Sequence, residues 1–114
     1  MTDLVNHPPH YTHYSVEVIE IVRHLPTDLA NTIKYVVRSP FKGSHDADLD
    51  KALWYLRYYE QHPLPFTLAE DVEHKATTLA SEIPDGDAAD AVIAVVEGRI
   101  ADAVDAVNRM RGRR

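Results

Sequence analysis

The sequence predicts an all-α fold: a small helical bundle with an extended N-terminal Pro-Pro arm and a C-terminal helical hairpin. Three observations carry this expectation. Apolar residues recur at i, i+3, i+4 and i+7 in one segment after another. Prolines and glycines punctuate those segments at helix-length intervals. No run of alternating polar and apolar residues survives as a strand. Residues 16–22 are rich in β-branched side chains, but their length and the preceding Ser15 favour a helix.

A chain of 114 residues with 45% hydrophobic content can bury a core of its own. A formal charge of −6 argues against broad binding to duplex backbones, which needs a basic footprint. The absence of cysteine excludes disulfides, thiolate zinc sites and thiol catalysis, and fits a cytoplasmic location. Met1-Thr2-Asp3-Leu4 has no charged lead followed by an apolar run, so no signal peptide is expected. No apolar run is long enough to span a bilayer.

In chain order, Asn6-His7-Pro8-Pro9-His10-Tyr11-Thr12 comes first. Proline fixes φ and restricts the residue before it, so this stretch runs extended as an arm across the helical body. A helix follows from Ser15 as cap, with Val18, Ile21, Val22 and Leu25 as its apolar stripe, and Pro26 ends it. The second helix starts at Thr27 or Asp28, either of which serves as cap, and stops before Pro40. Its core positions are Leu29, Ala30, Ile33, Val36 and Val37, while Asn31, Lys34, Tyr35 and Arg38 form one polar stripe. The third helix begins near Asp46, where Asp46, Asp48 and Asp50 complement its dipole. Leu49, Ala52, Leu53 and Leu56 face its core. Trp54, Tyr55, Tyr58 and Tyr59 exceed what one stripe needs, so some face the arm, a ligand or a second subunit.

His62-Pro63-Leu64-Pro65 marks the expected boundary between residues 1–62 and an Ala-rich helical extension, residues 63–114. The extension reads as a helix over residues 67–81, a turn at Pro84-Asp85-Gly86, and a hairpin of residues 87–96 and 99–110 broken at Gly98. A basic tail closes it. The thin core, surplus aromatics and Ala/Val hairpin point to a homo-oligomer.

Lys34 and Arg38 share a helix face, and Lys42 follows in the next loop. Two readings stand for this set: a grip on phosphate, or a solvated basic face paired with acids. No glycine-rich phosphate loop exists, which counts against an ordinary kinase cradle. Glu17-x-x-Glu20, with Asp46, Asp48 or Asp50, is a candidate oxygen site for magnesium, distantly similar to the all-α nucleoside triphosphate pyrophosphatases. The second acidic motif of that family is missing, so solvated acids are the competing reading. His45-Asp46 matches the signature pair of the HD phosphohydrolases but sits at a helix start rather than within a helix. Tyr11, Tyr35, Trp54 and Tyr55 either stack a nucleobase or fill core and interface.

Taken together, Asn6–Thr12, Glu17-Val18-Ile19, Asn31-Thr32-Ile33-Lys34-Tyr35-Val36-Val37-Arg38, Lys42-Gly43 and Asp48-Leu49-Asp50-Lys51-Ala52-Leu53-Trp54-Tyr55-Leu56 resemble the small bacteriophage proteins called nucleotide kinases. The resemblance covers about half the chain and stops before the Pro-rich boundary. It implies phosphoryl transfer from ATP, with Mg2+, to a (deoxy)nucleoside monophosphate in the host cytoplasm. Lys34, Arg38 and His10 are then the expected catalytic residues. Asn6, His7, His10, Tyr11, Asn31, Lys34, Tyr35, Arg38, Lys42 and Trp54 are the expected ligand contacts, and Glu17 and Asp48 the expected metal ligands. The sequence departs from the family at Ala30-Asn31 and at Ser39-Pro40-Phe41, where many relatives have glycine; the second change stiffens the loop before Lys42. Two alternatives remain open beside the kinase. One is a non-catalytic nucleotide or cyclic-nucleotide binder that sequesters a host defence signal. The other is a protein that docks on a host factor through its Ala-rich hairpin.

Overall fold

The structure is a computed structural model and describes residues 14–41 and 45–112. The Pro-Pro arm with Asn6, His7, His10 and Tyr11, and the loop residue Lys42, lie outside these residues. The described residues are helical and contain no strand, as the periodicity predicts.

Six α-helices follow in order: α1 (Ile19–Val22), α2 (Thr27–Arg38), α3 (His45–Gln61), α4 (Glu70–Glu82), α5 (Gly86–Val96) and α6 (Ile100–Met110), with a 3-10 turn over Ser39–Phe41 after α2. The most extensive contact joins α2 to α3, and the next joins α5 to α6. These two hairpins pack on each other through α3 against α6 and α2 against α5, while α4 covers α5 and α1. Ile21, Leu29, Ile33, Leu49, Leu56, Leu79, Val92, Val95 and Met110 are fully buried, and residues from both sides of the Pro63–Pro65 segment enter one core.

The first helix is shorter than its stripe suggested, only four residues long, and Ser15 does not cap it. Instead the Glu17 N–H, one residue before the N-cap Val18, donates to Glu20 Oε2 at 2.9 Å. That hydrogen bond, and then Lys75, hold the Glu20 carboxyl below its ordinary range. Ser15 is used elsewhere. Its N–H donates to Glu82 Oε1 at 2.9 Å and its hydroxyl to Glu82 Oε2, which ties the entry of the chain to the end of α4.

Neither Thr27 nor Asp28 caps α2, because Pro26 occupies the N-cap with extended backbone and no side-chain bond. The fourth helix starts three residues later than expected, at Glu70; residues 63–69 carry no helix, and the Tyr59 hydroxyl donates to the Leu64 carbonyl at 2.7 Å. Asp85 caps α5 by accepting from the N–H groups of Asp87 and Ala88. Between α5 and α6, Gly98 takes φ +76°. Its N–H bonds the Val95 carbonyl, and the Arg99 N–H bonds the Ala94 carbonyl at 2.8 Å. That is a Schellman ending, which needs the left-handed backbone that glycine adopts without strain.

Alanine lets the second hairpin close tightly. Ala88, Ala91, Ala94, Ala103 and Ala106 are all buried. Ala103→Leu should therefore cost about 1–3 kcal/mol by overpacking, while exposed Ala101→Leu should leave stability unchanged. Urea melts of the two variants check this, and equal midpoints would contradict the tight seam.

The chain end docks on the start of α3. Arg111 donates to Asp50 from Nε and Nη2, at 2.5 and 3.2 Å, the Gly112 N–H donates to Asp46 Oδ1 at 3.0 Å, and His45 Nε2 lies 3.2 Å from the Met110 carbonyl. His45-Asp46 thus holds the C-terminal tail. The Arg111 guanidinium keeps the Asp50 carboxyl below its ordinary range. A depressed carboxyl contributes fully above its unfolded value and loses that contribution as pH falls through the depressed one. In an NMR titration the Asp50 midpoint should lie below that of free aspartate and return to it in Arg111→Ala; an unshifted wild-type midpoint would show that the tail is not latched.

Candidate functional site

The polar stripe expected on α2 exists, and it faces the aromatic side of α3. Asn31, Lys34, Tyr35 and Arg38 are all half-buried. The Tyr35 ring stacks on Tyr55 with centroids 6.1 Å apart and planes 15° apart. Tyr55 meets the edge of Trp54 at 5.1 Å and 89°. Two cations lie over Tyr35: the Arg38 guanidinium carbon at 4.8 Å from the ring centroid and Lys51 Nζ at 5.4 Å. Both are within cation–π range.

Arg38 is held in place from below. Its Nη2 donates to Asp48 Oδ1 at 2.9 Å across the α2–α3 seam. Asp48 is 1% exposed and Arg38 26% exposed. The carboxylate is buried because α3 turns it toward α2, and the guanidinium supplies the counter-charge that burial demands. Its second oxygen, Oδ2, is also buried and accepts no hydrogen bond among the described residues. Beside this pair, Asn31 and Lys34 have no hydrogen-bond or ion-pair partner among the described residues and remain available to a ligand.

Trp54 is 59% exposed, which rules out a core role. The ring contacts continue along the end of α3. Tyr58 stacks on Trp54 at 5.4 Å and 20°, and His62 stacks on Tyr58 at 4.3 Å and 26°. The spacing 54, 58, 62 is the i+4 step of a helix face, a signal present in the sequence.

Glu17 and Asp48 are not brought into a cluster. Glu17 precedes α1, and among the described residues no three His, Asp or Glu side chains stand together as metal ligands. The three early acids of α3 have separate partners: Asp46 takes the Gly112 N–H, Asp48 takes Arg38 and Asp50 takes Arg111. Asp46 Oδ2 and Asp48 Oδ2 accept no hydrogen bond among the described residues, and beside Asp48 the Arg38 guanidinium opposes a second cation. Among the described residues Glu17 and Asp48 do not by themselves form a magnesium site. A depression of about 820 Å³ lies along α4, lined by Glu70, Asp71, Glu73, His74, Lys75 and Thr77. It is acidic and shares no residue with the stripe.

The α2–α3 face therefore combines a ring stack, an anchored guanidinium and an ammonium without a partner among the described residues, on an all-α scaffold. Residues 5–57, which include this face, match the DUF3310 family, described as a protein of unknown function. Neither the curated proteins nor the solved structures contain a match to the chain. No helix among the described residues is long and apolar enough to cross a membrane.

Arg38→Ala leaves a buried carboxylate unpaired and should cost about 3 kcal/mol, whereas the double replacement Arg38→Met with Asp48→Leu should be close to neutral. Denaturant melts of both proteins check this; a stable Arg38→Ala protein would mean that Asp48 is solvated.

Proposed function

We propose that this protein binds a nucleotide on the α2–α3 face. The base stacks against the Tyr35, Tyr55 and Trp54 corner, and phosphate oxygens are met by Lys34 and by the outer edge of Arg38. Asn31 supplies a donor and an acceptor for sugar or base. The single observation that supports this most is the placement of Arg38, fixed by buried Asp48 and laid over a ring that is itself stacked. A guanidinium fixed in this way loses little side-chain entropy when it meets an anion. Lys42, His7, His10, Asn6 and Tyr11 belong to the same proposal through the resemblance.

Binding without turnover is the reading that the described residues favour. Asp46, Asp48 and Asp50 each have a protein partner, and no three acidic or histidine side chains stand together among the described residues. The kinase reading has a direct test. Conversion of a deoxynucleoside monophosphate by the purified protein with ATP and Mg2+ would establish it. Stabilisation by a nucleotide without conversion establishes the binder. A ligand at about 100 times its Kd adds roughly 2.7 kcal/mol, a clear rise in Tm.

Lys34→Ala should weaken nucleotide binding about tenfold or more, since a charge-assisted hydrogen bond contributes about 1.5–3 kcal/mol. Calorimetric titration measures it. An unchanged Kd removes Lys34 from the site, and the absence of any nucleotide-dependent shift in Tm leaves docking on a host protein as the better reading.

A further inference from the structure

We infer that the aromatic ladder on α3 extends the nucleotide corner into a track for single-stranded nucleic acid. The inference rests in part on the nucleotide reading above, because the two share Trp54. Lys51, Trp54, Tyr55, Tyr58 and His62 fall on one helix face by their spacing, and none of these positions is acidic. Trp54, Tyr58 and His62 form a run of near-parallel rings, with steps of 5.4 and 4.3 Å. The offset of the Trp54–Tyr58 pair leaves part of each face open: Trp54 is 59% and Tyr58 41% exposed. From Lys51 to His62 the helix rises about 16 Å, longer than one base needs.

Charge selects the occupant. The whole chain carries −6, yet this face carries Lys34 and Lys51 beside the Arg38–Asp48 pair. Its nearest acids are already neutralised, Asp48 by Arg38 and Asp50 by Arg111. Rings interleaved with cations are the combination that holds a single strand, whose bases stack in any sequence while its phosphates meet the cations. A second copy of the chain fits less well. In a two-fold pairing the same patch faces itself, so Lys34 and Lys51 of both copies would gather in one interface. A duplex hides its base faces and offers nothing to the ladder.

The sole tryptophan, Trp54, stands in the track, so its fluorescence reports occupancy. The probes are thymidine monophosphate, oligothymidylate of about eight nucleotides, the matching oligouridylate and a duplex of equal length. The expected result is oligonucleotide binding at least tenfold tighter than the mononucleotide, with little duplex binding. The tighter of the DNA and RNA arms names the source. Tyr58→Ala and His62→Ala should each weaken the oligonucleotide several-fold and leave the mononucleotide unchanged; circular dichroism confirms that both remain folded.

Equal affinity for mononucleotide and oligonucleotide overturns the track and leaves the nucleotide corner standing. Oligonucleotide binding without mononucleotide binding sustains the track and removes the mononucleotide reading. If neither binds and light scattering finds a dimer that Tyr58→Asp dissociates, the face belongs to a second copy and the proposal fails. If neither binds and the protein is monomeric, it fails as well.

Discussion

The contact between Arg38 and buried Asp48 is the constraint on which the candidate site depends. A carboxylate with 1% exposure is costly to desolvate, and only a close counter-charge makes it tolerable. The pair joins the last turn of α2 to the first turn of α3 and so fixes the two helices beside each other. Everything on the outer face follows from that register. Arg38 lies over Tyr35, Tyr35 stacks on Tyr55, and Tyr55 meets the edge of Trp54. Such a pair contributes little net stability compared with apolar packing of the same volume. Its consequence is geometric: it presents a guanidinium at a set height above a set ring.

The first turn of α3 also organises the rest of the molecule. Three acids at alternate positions point in different directions and reach different elements. Asp48 turns inward to α2, while Asp46 and Asp50 hold the chain after α6. The C-terminal half is thereby tied to the domain that carries the site. The buried alanines of α5 and α6 let that second hairpin pack closely behind α2 and α3. Among the described residues the α2–α3 face is left outward, with Trp54 and Tyr58 exposed and Tyr35 and Tyr55 half-buried.

Much of the scaffold was legible in the sequence because helix periodicity and proline punctuation are local signals. The α2 stripe of Asn31, Lys34, Tyr35 and Arg38 came directly from its spacing, and the break at Gly98 from its need for positive φ. What stayed hidden depends on tertiary contacts. Ser15 looks like a helix cap, yet its hydroxyl and N–H go to Glu82, 67 residues away. Asp46, Asp48 and Asp50 resemble a metal-binding run until their partners from α2 and the tail are known. Arg38 and Asp48 were both named, but in separate roles, because no sequence pattern shows that residues on different helices meet. Tyr58 stands only among the surplus aromatics of α3, and nothing but its i+4 spacing links His62 to Tyr58 and Trp54.

The central claim is that the corner built by Asp48, Arg38 and Tyr35 is where a nucleotide rests. Amide chemical shifts of the isotopically labelled protein, followed during titration with a deoxynucleoside monophosphate, test it most directly. The account predicts that the perturbed amides group on residues 31–38 and 51–58, with α4 and the α5–α6 hairpin silent. Perturbations confined to α4 or to that hairpin, or none at saturating nucleotide, would contradict it.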